Sequence, residues 1–335
     1  MGSREKGTET KSQNTDFCGK AVATRDAYGA ALLELGKRNE KVVVLDADLS
    51  GSTKTAKFAK TFPDRFFNMG IAEQDLIGTA GGLSLTGKIP FASTFAVFQT
   101  GRAWEQIRQT LCYSGLNVKL VATHAGVTVG EDGASHQALE DIALMRVIPH
   151  MTVIVPCDGF ETKQVIDAIA DYDHPVYVRL GRSKVPPVMP EDYRFEIGKA
   201  FTFGIGRDVT IIATGLMVAI ALQAAELLQK NGLDAGVINM STIKPLDTHA
   251  VLKAAKGSKL IVTAEEHSII GGLGGAVSEV LSESCPTHLR RIGTRDTFGC
   301  SGSPDELIKL FGLSSEDIVK TVESFFKEYH SDDSV

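Results

Sequence analysis

At 335 residues the chain is too long for one ordinary hydrophobic core and comfortable for two. It is 43% hydrophobic and 23% charged with a net charge of −6, a globular composition whose acidic balance argues against a nucleic-acid partner. No apolar run reaches the about 18 residues that would span a bilayer, and five scattered cysteines (Cys18, Cys112, Cys157, Cys285, Cys300) without a CxxC pair fit a reduced, cytoplasmic protein whose thiols are small core residues.

Met1 to Thr15 is polar and rich in Lys, Glu, Ser and Thr. It lacks the apolar stretch of a signal peptide, and Lys6 breaks the myristoylation pattern, so residues 1–17 are expected to form a disordered tail. Lys41–Asp46 is a β-branched run of the kind that makes a buried strand. A short strand at Arg65–Asn68 leads to a helix over Ala72–Leu85, and a second helix is predicted over Gly101–Tyr113. Strand runs recur at Val118–Thr123, Thr152–Val155 and Val176–Leu180, with Glu161–Tyr172 as a crossover helix. Continuous apolar runs rather than alternation mark parallel strands covered on both faces. Ser183–Tyr193 then holds three prolines and no periodicity, which reads as a linker. The series restarts with strands at Val209–Ala213, Ala235–Met240, Leu260–Ala264 and Leu289–Ile292. Helices are expected at Met217–Lys230, Thr248–Lys256, Leu273–Ser284 and Glu316–Tyr329, the last capped by Ser314 or Ser315. The fold class is α/β: two doubly wound domains over residues 18–185 and 198–335, joined by a linker over 186–197.

The densest cluster of unusual residues runs from Asn68 to Arg182. Glu73 opens a predicted helix. It is either a first-turn acid favoured by the helix dipole or a carboxylate placed at the C-terminal edge of a parallel sheet, where open α/β sheets keep their sites. His124 ends a strand at that edge, and Glu131, Asp132 and His136 follow in a loop with three glycines. Metal ligation, a structural loop, and acid/base or hydroxyl recognition all remain open for this segment. Phe95 and Phe98 flank a short loop, Ser93–Gln99, as core residues or as a flat wall for a heteroaromatic ring. Arg25, Ser52 and Arg182 each lie beside a strand end or helix start and would make a phosphate clamp if they converge. The run Gly271-Gly272-Leu273-Gly274-Gly275 lacks the spacing of a dinucleotide fingerprint; its glycines let a helix approach a sheet closely.

Taken as an ordered string, these segments resemble the pyrimidine-binding domain of the thiamine-diphosphate-dependent transketolase family. The string comprises Ala23-Thr-Arg25, Asp46-Ala-Asp-Leu-Ser50, Met69-Gly-Ile-Ala-Glu-Gln74, Ser93-Thr-Phe-Ala-Val-Phe98, Thr123-His124, Gly130-Glu-Asp-Gly133, Ser135-His-Gln137, Ala143-Leu-Met-Arg-Val-Ile-Pro149 and Leu180-Gly-Arg182. The second block, with Ala264-Glu-Glu-His267 and the glycine run, is similar to the family's C-terminal domain. The resemblance implies that Glu73 hydrogen-bonds N1′ of the cofactor's aminopyrimidine and favours the imino tautomer, whose nitrogen removes the thiazolium C2 proton. It implies that Phe95 and Phe98 wall the pyrimidine ring and that Leu49 props the cofactor into its bent shape, with Asp48 close by. His124 and His136 would contact the donor sugar near its carbonyl and first hydroxyl, with His124, His136 and Glu73 forming the catalytic set. Asp132 would read a hydroxyl configuration, and Arg25, Ser52 and Arg182 would hold the substrate's phosphate.

Two departures from the family pattern matter. Gly101 stands where the family has a third aromatic residue, so the ring wall is less complete. No Gly-Asp-Gly metal–diphosphate motif occurs in the sequence. The resemblance therefore implies a split enzyme. Its N-terminal, diphosphate-binding subunit would supply the Mg2+ (or Ca2+) site in an α2β2 heterotetramer, this chain would contribute no metal ligand, and sugar phosphates would exchange a two-carbon ketol unit. A deoxyxylulose-phosphate-synthase-like activity, a 2-oxoacid or acetoin dehydrogenase β-type subunit, and a non-catalytic scaffold subunit are the alternatives.

Overall fold

The computed structural model describes residues 19–332; the expected tail and Cys18 lie outside them. Among these residues the strands, in chain order, are β1 (Val22–Ala23), β2 (Val42–Asp46), β3 (Phe66–Asn68), β4 (Ile89–Phe95), β5 (Lys119–Thr123), β6 (Thr152–Ile154), β7 (Val176–Arg179) and β8 (Lys184–Val185). They continue with β9 (Phe201–Thr202), β10 (Val209–Ala213), β11 (Ala235–Asn239), β12 (Thr242–Lys244), β13 (Leu260–Ser268) and β14 (His288–Thr294). A seven-stranded sheet runs β12-β6-β7-β5-β4-β2-β3, parallel except for β12. A five-stranded sheet runs β14-β13-β10-β11-β9, parallel except for β9. Every residue of β2, β5 and β10 is buried, which is why their sequences read as unbroken runs.

The two sheets are not independent. β12 follows the second domain's β11 in sequence but pairs antiparallel with β6 at the edge of the first sheet, with Thr242 opposite Ile154. One buried cluster joins Leu76, Ile107, Leu120 and Val153 to Ile212, Ile238, Met240 and Leu273. The proline-rich Ser183–Tyr193 segment is held rather than free. It opens with β8, which pairs with β1. The backbone N–H groups of Val188 and Met189 donate to buried Asp158 (2.8 and 3.0 Å), and Tyr193 donates its hydroxyl to buried Glu161 (2.7 Å).

Some helices depart from the sequence pattern. The helix Thr24–Arg38 has no counterpart in the strand–helix reading, yet it carries Asp26 in its first turn and Lys37 and Arg38 in its last, matching the helix dipole. Pro304–Leu310 is also helical, closed by a capping box between Ser303 and Glu306. The glycine run behaves as expected: a Cβ at Gly272 would lie 2.0 Å from Glu265 Oε2. That approach lets the Leu273 and Gly274 amides donate to the buried Glu265 carboxylate at 2.7 and 2.8 Å. Ser314 caps the last helix by accepting from the Asp317 amide (3.2 Å). Cys112 and Cys157 are buried core thiols, but Cys300 is exposed because it sits in the open loop after β14. No helix among the described residues is long and apolar enough to cross a membrane.

Candidate active site

The C-terminal ends of the parallel strands collect the chemistry. At the end of β2, fully buried Asp46 organises the turn that follows. Its carboxylate accepts from the Leu49 amide (2.6 Å) and from the hydroxyls of Thr53 (2.6 Å) and Thr55 (2.9 Å). Burial raises the Asp46 pKa above the ordinary carboxyl range against the pull of these bonds. The turn puts Asp48 in a left-handed conformation (φ +63) and places Leu49 and Ser52 half-buried at the sheet edge. The neighbouring strand end returns the contact, since Asn68 donates to Asp48 Oδ1 at 2.9 Å.

Glu73 is the first residue of its helix and is only 2% exposed. Both its carboxylate oxygens accept from Arg102 Nη1, at 3.2 and 3.1 Å. Phe95 closes β4, and the chain turns directly into a helical segment. Ser93–Gln99 is therefore not the loop expected from sequence. The helix expected over Gly101–Tyr113 is also broken, into wide π-type turns at Phe98–Arg102 and Ile107–Tyr113, a distortion that recurs at functional sites. The rings of Phe95 and Phe98 lie nearly parallel (10°) with centroids 5.9 Å apart. His124 stacks on Phe95 at 3.8 Å, and His136 stands edge-on to Phe98 at 5.4 Å.

His124, at φ +58 beyond β5, lies 2.8 Å from Arg25 Nη1 through Nε2 and 2.8 Å from Thr123 Oγ1 through Nδ1. Burial, followed by the charges of Arg25, Arg182, Lys54 and His136, pushes its pKa down to about 3. The ring is therefore neutral near pH 7, and the guanidinium fixes its tautomer: Nε2 accepts from Arg25, and Nδ1–H donates to Thr123. Arg25 also donates to the Ser52 carbonyl at 3.4 Å, while its buried Nε has no partner. Arg182 donates to the Val129 carbonyl (2.7 Å) and to Asp132 (3.2 Å). Burial first, with the Arg182 cation acting the same way, lowers the Arg25 pKa against the pull of Asp26 and Asp132. The structure thus links Arg25 to the Ser52 carbonyl and to His124, which stacks on Phe95, sets Arg182 on Asp132, and joins Glu73 through Arg102 to Phe98. Asp48 and Leu49 stand at the same edge, in the turn beside the strand end that bears Phe95.

Three contributors were given no role from the sequence. Arg102 is one residue beyond the conspicuous Gly101. Asp46 closes an apolar run and looks like the end of a strand. Glu266, in the second domain's Glu-Glu-His run, accepts from the Thr128 amide at 2.6 Å beneath the loop that carries Asp132 and His136. Gly126, at φ +85, makes room for that carboxylate, because a Cβ there would lie 2.2 Å from Glu266 Cδ. The second domain grips the same loop again where Gln137 donates to the Cys300 carbonyl at 3.0 Å.

Burial pushes the Glu266 carboxyl from the ordinary 4.5 up to about 7, with Arg179 opposing the shift. Between those values the folded chain holds a proton that the unfolded chain has released. The stability this group contributes is full below the lower value and is lost as pH rises through the upper one. Glu266→Gln is expected to abolish that loss. Its advantage in melting temperature over the parent chain should be larger at about pH 8 than at about pH 5 by calorimetry; equal differences at both would refute the assignment.

Residues 20–187 match the family "Transketolase, pyrimidine binding domain", and residues 198–318 match "Transketolase, C-terminal domain". The chain belongs to the transketolase family. The solved structure of a split-gene transketolase in its inactive beta4 tetramer superposes with a TM-score of 0.84 at 54% identity, covering 90% of this chain and 98% of that one. A 6-deoxy-6-sulfo-D-fructose transketolase subunit from a Clostridium species is 43% identical over 88% of this chain and 92% of its own length. An apulose-4-phosphate transketolase subunit from Phocaeicola vulgatus is 42% identical over 92% of this chain and 98% of its own length. This chain accordingly carries the pyrimidine-binding and C-terminal domains of a transketolase, and its family works with thiamine diphosphate. A buried carboxylate beside a parallel aromatic pair suits the pyrimidine end of that cofactor. Among the described residues no group of three or more His, Cys, Asp or Glu could hold a metal ion.

Proposed function

We propose that this chain, completed by an N-terminal transketolase subunit in an α2β2 assembly, transfers a two-carbon ketol unit from a ketose phosphate to an aldose. What supports this reading is the run of contacts from buried Glu73 through Arg102 and the Phe98–Phe95 pair to His124 and Arg25 at the strand ends. The division of labour follows the domains, 18–185 for the cofactor's pyrimidine and the sugar and 198–335 for support of the recognition loop, with 186–197 between them.

When bound, thiamine diphosphate supplies the electron sink for cleaving the bond next to a ketose carbonyl. Glu73 holds the proton balance at the pyrimidine N1′ atom. Phe95 and Phe98 orient the ring and exclude water from one side of it, while Leu49, beside Asp48, sets its approach. His136 and His124 contact the sugar near its carbonyl and first hydroxyl, and Asp132 reads a hydroxyl configuration. Arg25, Arg182 and Ser52 bind the phosphate, with the unpartnered Arg25 Nε as a ready donor. The sequence has no Gly-Asp-Gly motif, so the diphosphate and its Mg2+ or Ca2+ fall to the partner subunit.

The test is reconstitution with the N-terminal subunit, thiamine diphosphate and magnesium. Aldose-dependent ketose cleavage without CO2 release is expected, and a phosphorylated donor should outperform its unphosphorylated counterpart in kcat/KM by about 10² or more, the worth of two charge-assisted contacts. Pyruvate consumption with CO2 release, or a reconstituted complex without turnover, would overturn the reading.

A further inference from the structure

We propose that Arg102 is a latch on Glu73, which thiamine diphosphate must displace to enter the site. This rests on the reading above. A carboxylate that is 2% exposed cannot be left without a partner, because a buried unpaired charge is costly. The partner is Arg102, whose Nη1 lies within 3.2 Å of both Glu73 oxygens. The same guanidinium carbon stands 5.7 Å from the centroid of the Phe98 ring. Arg102 thus takes up at once the carboxylate and the aromatic face that an aminopyrimidine ring would use.

The latch is built to open. The Arg102 side chain is 55% exposed, so it can swing into water at little desolvation cost. Its backbone stays put: the Arg102 carbonyl accepts from Gln74 Nε2 at 3.3 Å, next to Glu73 itself. Only the side chain has to move, and Glu73 exchanges its contact with the guanidinium for a proton shared with the ring nitrogen, without being left bare.

The experiment compares Arg102→Gln, Arg102→Ala and Arg102→Lys in the reconstituted complex, titrated with thiamine diphosphate by calorimetry, alongside the melting temperature of the free chain. Removing the guanidinium should lower the melting temperature of the free chain. It should also tighten the cofactor Kd by about tenfold, the scale of one charge-assisted hydrogen bond no longer given up on binding. The lysine variant should fall between the parent and Arg102→Gln. A lower melting temperature with an unchanged Kd would make the pair purely structural, and a weaker Kd would make Arg102 part of the ring wall; either overturns the latch while leaving the proposed activity standing. A parent complex that binds no thiamine diphosphate would overturn that activity and the latch together.

Discussion

Glu73→Gln is expected to lower ketol-transfer turnover by about 10²–10⁴-fold, the scale of a positioned proton-transfer partner lost from an active site, while the fold survives. The substitution preserves side-chain volume at a site that is 2% exposed, so packing around the helix start is unchanged. It removes the charge that meets Arg102 and replaces one acceptor oxygen by an NH2 group, which can no longer share a proton with a ring nitrogen. The amide oxygen still accepts from Arg102 Nη1, while the NH2 group gives up the second contact of the carboxylate, so the melting temperature should fall by only a few degrees. Turnover in the reconstituted complex, set beside the melting curve of the free chain, decides the matter. Near-normal turnover would remove Glu73 from the chemistry, and a collapsed melting curve would reassign it to the fold. The comparison with Arg102→Gln separates two effects of one ion pair: losing the carboxylate should cost turnover, whereas losing the guanidinium should not.

The strands were legible because each buried parallel strand writes itself as an apolar run: Val-Val-Val-Leu in β2, Leu-Val-Ala in β5 and Thr-Ile-Ile-Ala in β10. Glu73, His124 and Arg182 drew notice through the ordered string that resembles the transketolase pyrimidine-binding domain, since a first-turn acid or a charge at a strand end has a structural reading of its own. What the sequence hid depends on partners distant along the chain. β12 joins the first sheet although nothing in Thr-Ile-Lys distinguishes its edge from any other. Arg102 reads as a surface arginine until its contact with Glu73 is seen. Glu266 and Asp46 matter through burial and through the amides and hydroxyls they accept from, and neither property has a sequence signature. Lys119 is the plainest case. It sits fully buried in β5, where burial lowers its pKa to about 7, and its ammonium group reaches the Tyr172 and His174 carbonyls. A lysine in a buried strand contradicts the apolar pattern unless those two acceptors are known.

Asp141→Ala should be the most destabilising single change near the site, costing about 3–5 kcal/mol because it strands a buried cation. Asp141 is 0% exposed and Arg179 is 6% exposed; the carboxylate accepts from Arg179 Nε at 2.8 Å and from the Tyr177 hydroxyl at 2.6 Å. Arg179 in turn donates to the Ala138 carbonyl (3.3 Å) and across the domain boundary to the Glu266 carbonyl (2.8 Å). Tyr177→Phe removes only one hydrogen bond to a charged acceptor and should cost about 1.5–3 kcal/mol, while leaving the ion pair in place. Denaturant titration of the three chains tests the order, and equal losses for the two variants would show that the ion pair contributes nothing beyond the hydroxyl contact. The effect should also reach the site. Ala138 follows His136 and Gln137, and Arg179 is followed closely by Arg182, so the pair ties together both ends of the proposed sugar-recognition face. On the proposed function, Asp141→Ala should therefore raise the KM for the phosphorylated sugar more than it lowers kcat, because the loop that Arg179 and Glu266 hold carries the proposed sugar contacts, whereas Glu73 and the phenylalanine stack are anchored by other strands.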